Sequence, residues 1–566
     1  MDFNRIYISR AWLIILVMIL FAINWIASIW HTRLDLTAEK RFTLSNSTKK
    51  LLRNLKEPVL IDVFLKGNYP SGFKKLAAST ADVLQEFREV AGNKLSYNFI
   101  SPEDLFPGTD IKYGDTLSSM GLFPINLTSQ VKEGQQQQYV YPVGLIHVKD
   151  QVLPVQLYKG KTPLINYTEL NSAEALLEYN IADAIAKASR ETKPMVGYAI
   201  GNGEPTQLST YDLVENVLKP NYRLFTFDPN TQPVIPAEFQ ALLVVKPTMG
   251  FSEEAKLRLD QYVMHGGKLI MFIDRLNAEM DSLQKGEVVA YDRDLKLNDL
   301  LFNYGVRING DLLMDLQCDY LPFDVNGNGQ FELLPWNYFP VLESGSNHPI
   351  NKNLGFVSAR FVNSIDTVEA EGIRKTILLN SSANARTIST PAIISGRENS
   401  VQPENNKYKK HQVPVAVLLE GKFQSLYANR ISSTMTDSLN KYGETYFPST
   451  TTENKMIVVA DGDIVLNSVI KGNQPISMGM NPYTYGTQRE FPFANKEFLK
   501  AGLEYLINEN DLSEAKSKDY VVRLLDSKKT AEQKTMWQLV NIVIPVVLVL
   551  CFAFIFLWVR KRKYTK

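Results

Sequence analysis

The chain has 566 residues, 45% hydrophobic and 21% charged, enough for about three or four domains with real cores. Lys and Arg number 61 against 60 Asp and Glu, a net charge of +1, which offers no electrostatic reason for a nucleic-acid partner. Of the two cysteines, Cys318 lies in the body and Cys551 in a C-terminal apolar run, so no disulfide framework is expected.

Residues 1–10 carry Arg5 and Arg10 and read as a cytoplasmic N-terminus. Residues 11–30 are apolar and uncharged; at ~1.5 Å per residue the run reaches ~30 Å, the hydrocarbon thickness of a bilayer. A cleaved signal peptide is the competing reading. The run exceeds the usual ~7–15-residue signal core, and Trp25, Ile29 and Trp30 occupy the region where small residues are cut. A transmembrane helix is therefore expected, with Asn24 as its polar residue.

Residues 31–57 read as a juxtamembrane helix, with Ser45 as N-cap and Leu44, Leu51, Leu52 and Leu55 on one face. Residues 58–190 read as an extracytoplasmic domain. Its expected elements are a strand at Val59–Leu65, a helix at Leu76–Val90 and a strand at Leu95–Ile100. A Gly/Gln-rich loop through Gln138 precedes a hairpin of Tyr139–Val148 and Val152–Tyr158, and a helix at Leu170–Ala188 follows. This βαβ-ββα order resembles a thioredoxin-like domain, but without Cys-x-x-Cys it has no redox chemistry.

Residues 191–510 alternate strands (Met195–Ile200, Ala241–Val245, Lys268–Ile273) with helices (Tyr211–Leu218, Ser252–Met264), which indicates an α/β, doubly wound parallel sheet. Val413–Leu419, Met456–Ala460 and the helix Lys496–Ile507 complete that sheet or add a companion layer. The polar stretches 395–411 and 430–455 read as loops. Residues 511–536 read as a stalk. Residues 537–559 form a second span, flanked by Trp537 and Trp558, with Pro545 and Asn541 inside it. The basic tail 560–566 is expected to face the cytoplasm, which places residues 31–536 outside it. Asn24 and Asn541 lie at similar depth, as transmembrane partner contacts or as groups reaching interfacial water.

Motifs that carry chemistry are sparse. Gly201-Asn202-Gly203-Glu204-Pro205 follows a strand, where open α/β sheets place ligands; a tight turn with one structural acid explains it equally. Asp461 and Asp463 in Val458–Asp463 could hold a cation or do acid–base work, or form an Asp-Gly turn. Lys159-Gly160-Lys161-Thr162 ends like a phosphate loop, but Val155 stands where its first glycine belongs. Asp324, Asn326, Asn328 and Gly329 open like a calcium loop, whose twelfth position here is Pro335. The histidines at 31, 147, 265, 348 and 411 share no metal-ligand spacing. No catalytic residues, cofactor or metal are therefore expected.

The stretches Arg33-Leu34-Asp35-Leu36-Thr37, Phe42-Thr43-Leu44-Ser45 and Thr48-Lys49-x-Leu51-Leu52 resemble the signature of GldG-type ABC-transporter auxiliary proteins. Gly201–Pro205, His265-Gly266-Gly267-Lys268, Asn347-His348-Pro349-Ile350, Val458–Asp463 and the closing WQLVNIVIP extend the match. Related domains often carry Gly-His-Gly-Glu where this chain has Asn202. The resemblance implies a non-enzymatic membrane subunit of a gliding-motility ABC transporter, a type sometimes labelled substrate-binding. Its implied partners are a GldF-like permease and a GldA-like ATPase. It also implies a body similar to type 1 glutamine-amidotransferase folds without their catalytic Cys and His. The rival expectation is a solute- or glycan-binding receptor tethered to the inner membrane.

Overall fold

Side-chain alternation sets the first sheet. The computed structural model describes residues 11–29, 43–131, 134–158, 167–280, 287–324, 328–352, 354–395, 405–507, 512–516 and 527–564. The expected tail 1–10, residues 30–42 and Lys159–Thr162 lie outside them. Strands β1 (Val59–Val63), β2 (Leu95–Phe99), β3 (Val143–Val148) and β4 (Gln151–Gln156) form a sheet in the order β2-β1-β3-β4. The first pair is parallel and the other two are antiparallel. Val59, Ile61 and Val63 are buried while Leu60 and Asp62 are half-buried, so one sheet face carries the core.

Helices α1 (Asn46–Arg53), α2 (Ser71–Ala91) and α4 (Tyr167–Ala188), with the short α3 (Tyr113–Ser119) between the last two in sequence, complete this domain. The Ser45 hydroxyl accepts from the Thr48 amide at 3.3 Å, the cap anticipated for α1. The Ser45 amide donates to Glu178 of α4 at 2.7 Å. Leu44, Leu52 and Leu55 enter the same core as Phe73, Leu84 and Phe87 of α2 and Leu177, Ile181 and Ile185 of α4.

The Gln135–Gln138 stretch differs from its reading as a loop. Ile125–Val131 and Gly134–Val140 pair antiparallel along their whole length. Backbone pairing makes this ribbon, and its polar side chains leave no hydrophobic period to read.

The second domain is built on a ten-stranded sheet, accompanied by a three-stranded sheet and two-stranded ribbons. The strands of the large sheet are β5 (Met195–Ala199), β6 (Arg223–Phe227), β7 (Phe239–Val245), β8 (Leu269–Phe272), β9 (Cys318–Phe323), β10 (Glu332–Ser344), β11 (Ile373–Asn380), β12 (Pro414–Gly421) and β13 (Asn454–Val459). They run β9-β10-β11-β12-β13-β8-β7-β5-β6, with Val357–Ser358 beside β10. From β13 to β6 all neighbours are parallel; from β9 to β13 all are antiparallel. Numbered along the chain, the parallel strands lie in the order 2-1-3-4-5, so the winding reverses between β5 and β7.

The run Ala241–Val245 is apolar throughout because both its faces are covered. Leu242 and Val244 pack with Ala255, Leu259 and Val263 of α5 (Glu253–Met264), and Ala241, Leu243 and Val245 with Phe498, Leu499 and Leu503 of α6 (Asn495–Ile507). The expected helix at Tyr211–Leu218 instead contains a π-helical turn over Asp212–Leu218 after a 3-10 turn at Gln207–Thr210. Asp212 there is buried and accepts from Lys496 Nζ, the Met478 amide and Asn216. Within 430–455, read as loop, Ser433–Asn440 is a helix capped by Ser432, with Leu439 packed on Leu257 and Tyr427.

The two sheets' helices share a half-buried ionic joint. Lys187 of α4 bonds Asp183 at 2.6 Å and Glu504 of α6 at 2.5 Å, and the Tyr179 hydroxyl donates to Glu504 at 2.5 Å. Leu512 and Ala515, in the segment read as a stalk, are buried, and Leu512 joins the core of the first domain.

Contacts divide the chain into two units, Met1–Lys518 and Asp519–Lys566. The second contains the helix Ser527–Tyr564. Its portion Gln533–Lys563 is long and apolar enough to cross a membrane, with none of that surface buried. Near the N-terminus, Ala11–Ile29 is helical, and its described side chains from Ile15 to Trp25 are exposed.

Candidate functional site at the end of the parallel strands

The C-terminal ends of β5, β7, β8 and β13 bring two loop clusters to one sheet edge, where doubly wound sheets place ligands. At the winding reversal, Gly201 and Gly203 take φ of +103° and +81°, a region open to glycine. The Asn202 carbonyl accepts from the Thr248 and Met249 amides at 2.9 Å each. Its buried amide group donates to the Gly250 carbonyl at 3.2 Å and accepts from Asn230 at 3.1 Å. Glu204 Oε2 accepts from the Asn202 amide at 2.7 Å, while buried Oε1 has no hydrogen-bond partner. Burial raises this carboxyl above the ordinary Glu range.

The second cluster is ionic. Lys246 follows β7 with φ +44°, a conformation that strains a non-glycine residue. Its buried Nζ reaches Asp463 at 2.8 and 2.9 Å, Glu279 at 3.0 Å and Asp274 at 3.3 Å. Asp274 follows β8 and accepts from the Gly462 amide. Asp461, fully buried beyond β13, accepts from the Asp463 amide at 2.7 Å and the Arg360 amide at 2.8 Å. Arg293 pairs with Glu279. A Cβ on Gly462 would stand 2.5 Å from Lys246 Cβ, so glycine lets the two loops meet.

Charge sorts the carboxyls. Burial alone would raise Asp463, but Lys246 and then Arg360 outweigh it and hold the group below the ordinary range. Burial, then Asp274 and Asp463, push Asp461 well above it. Burial also raises Asp274, against the pull of Lys246. Lys246 loses hydration, yet Asp463, Asp274 and Glu279 more than restore its affinity for a proton. Oxygens of Asp274, Asp461 and Asp463 lie within 4.8 Å of one another, a spacing that could hold a cation, and the Lys246 ammonium supplies the positive charge there.

Residues 193–501, more than half of the chain, match the family described as "ABC-type uncharacterized transport system". The chain belongs to this ABC transport auxiliary family. Residues 38–147 match a domain of unknown function (DUF7088). An uncharacterized protein of Borreliella burgdorferi is 20% identical over 524 residues, covering 90% of this chain and 93% of the relative. Among solved structures, the mmIFT52 N-terminal domain aligns at TM-score 0.30 and 12% identity, over 55% of this chain and 96% of that one. A cold-adapted β-galactosidase from Rahnella sp. R3 aligns at TM-score 0.23 and 9% identity, over 84% and 49%.

In this ABC auxiliary chain, Gly201, Asn202, Gly203 and Glu204 sit at the winding reversal, and Asp461 and Asp463 sit in the ionic cluster. Lys246, Asp274 and Glu279 were not singled out in sequence, although the first two directly follow the apolar runs of β7 and β8. A charged residue ending a buried parallel strand was the available signal. Asp324 accepts from the Asn328 and Gly329 amides, a local turn; Asn326 lies outside the described residues. His147 pairs with Asp62 at 3.1 Å, and the His265 ring meets Phe447 edge-on. Asn24 and Asn541 are exposed on their own helices.

Proposed function

We propose that the chain is a membrane-anchored, non-catalytic subunit of an ABC transporter of the gliding-motility type. It works with a GldF-like permease and a GldA-like ATPase through a large periplasmic body. The observation that carries this reading is a membrane-length helix, Gln533–Lys563, in a chain whose body belongs to the ABC auxiliary family. The helix ends in Arg560, Lys561, Arg562 and Lys563, which supports a cytoplasmic C-terminus; Ala11–Ile29 is the companion span. The 2-1-3-4 order of the first sheet supports a thioredoxin-like domain, and the doubly wound second sheet supports an amidotransferase-like one. The Lys246 cluster neutralises its own carboxylates and serves to join loops. Purification of the full chain from membranes should recover the permease and the ATPase together. A chain that purifies alone, and whose deletion leaves transport-dependent motility intact, overturns the reading.

One observation favours a receptor as the second reading: the unpartnered Glu204 Oε1 at the winding reversal, where such sheets bind ligands. Saturable binding of a labelled solute or glycan, lost in Glu204→Ala and kept in Asp324→Ala at the exposed turn, would support it.

A further inference from the structure

The first domain carries an apolar surface that its own fold holds outward. Leu105, Ile111 and Phe123 are 54%, 53% and 73% exposed, with Phe106 and Met120 also exposed. The Leu105–Lys112 loop is closed by its own hydrogen bonds. The Phe106 amide donates to the Ile111 carbonyl at 2.8 Å, the Thr109 amide donates to the Phe106 carbonyl at 3.0 Å, and Leu105 bridges Lys112. The Phe106 ring packs on Tyr113 at 5.3 Å, and Tyr113 packs on Phe64 at 5.6 Å. Beneath them Phe64, Leu117, Leu122, Tyr141 and Val143 form a separate small core. Helix α3, ~10 Å long at ~1.5 Å per residue, carries the chain from Ile111 to Met120. Folding therefore leaves Leu105, Phe106 and Ile111 in water on a hydrogen-bonded loop, with Met120 and Phe123 exposed beyond the other end of α3, and such ordered apolar side chains mark an interaction surface.

Its rim is acidic. Glu103, Asp104, Asp110 and Asp115 are exposed, and the basic Lys112 is paired with Glu103 at 2.6 Å. Anionic lipid headgroups would be repelled by this rim. A two-fold contact between copies would set the same carboxylates against each other.

We propose that this patch docks a protein segment with apolar anchors flanked by Lys or Arg, supplied by the extracytoplasmic face of the permease. The proposal rests on the transporter reading and names the contact surface for it. Full-length chain and permease are co-expressed, solubilised together and purified through the chain. Leu105→Ser with Phe123→Ser should lower recovered permease about tenfold, the order expected for truncating central interface anchors. Asp110→Lys with Asp115→Lys should also lower it, with the loss smaller at high salt. A photoreactive benzoylphenylalanine at position 123 should cross-link to the permease. Undiminished recovery with both variants, or cross-links only to lipid or to a second copy, overturns the proposal. If the unaltered chain recovers no permease, the transporter reading itself fails.

Discussion

The turn at Gly201–Glu204 and the cluster around Lys246 occupy one edge of one sheet and are closed by opposite means. Glycine φ angles and backbone hydrogen bonds close the first, leaving one carboxylate oxygen unsatisfied. Opposite charges close the second, with a lysine at its centre. The difference predicts how each fails. A turn held by backbone geometry suffers from added bulk, whereas a charge cluster suffers from a lost partner and depends on pH.

The largest effect is expected at Lys246. Lys246→Ala leaves Asp274, Asp461 and Asp463 facing one another without their cation, and should cost about 3–5 kcal/mol, read as a lowered thermal midpoint of the purified full chain. An unchanged midpoint would mean that the carboxyls do not depend on the lysine. Asp463→Asn should cost about 1.5–3 kcal/mol at neutral pH, the range for hydrogen bonds to charged groups. Because the folded carboxyl of Asp463 is depressed, its contribution is present above the unfolded Asp value of ~3.9 and lost as pH falls through the lower folded value. The gap between Asp463→Asn and the unaltered chain should therefore close only in acid below that value. Asp461→Asn tests the converse, since Asp461 is raised: its destabilisation should shrink as pH rises from the unfolded Asp value.

Gly203→Ala sharpens the comparison from the other side. A Cβ there meets Thr248 Oγ1 at 2.0 Å with φ at +81°, so a loss of about 1–3 kcal/mol is expected, without pH dependence between pH 6 and 9. Adding Thr248→Ala should restore part of it, because the clash goes while the φ strain stays. The smallest effect belongs to Glu204→Gln. Glu204 is raised by burial, so ionisation weakens the fold as pH rises through the folded value. The amide should be neutral or stabilising by about 1 kcal/mol or less above that value, measured as a midpoint difference that disappears in acid.

Much of the first domain was legible. Strands β1 and β2, the α1 cap at Ser45 and helix α4 follow from alternation, capping chemistry and helical periodicity, all properties of neighbouring residues. The parallel strands of the second domain were legible for the same reason: runs such as Leu242–Val245 are apolar on both faces. The Gln-rich ribbon was not, because its pairing uses backbone groups that every residue carries. Nor was the length of the antiparallel half, where β10 mixes Trp336, Tyr338 and Phe339 with Pro335, Asn337 and Pro340 and shows no clean period.

The candidate site divides along the same line. Gly201–Glu204 and Asp461–Asp463 were visible because Gly-x-Gly and Asp-Gly-Asp are local motifs. Lys246, Asp274 and Glu279 were invisible as a group, since only the 2-1-3-4-5 strand order brings them to one ammonium. By itself, the sequence determined where the chain is apolar enough for a membrane and which periodic apolar segments become strands or helices, because those depend on residues near one another. Tertiary structure alone decided which strand ends converge, which carboxyl keeps its proton, and that a lysine stands among the acids, because charge acts through space between residues far apart in the chain.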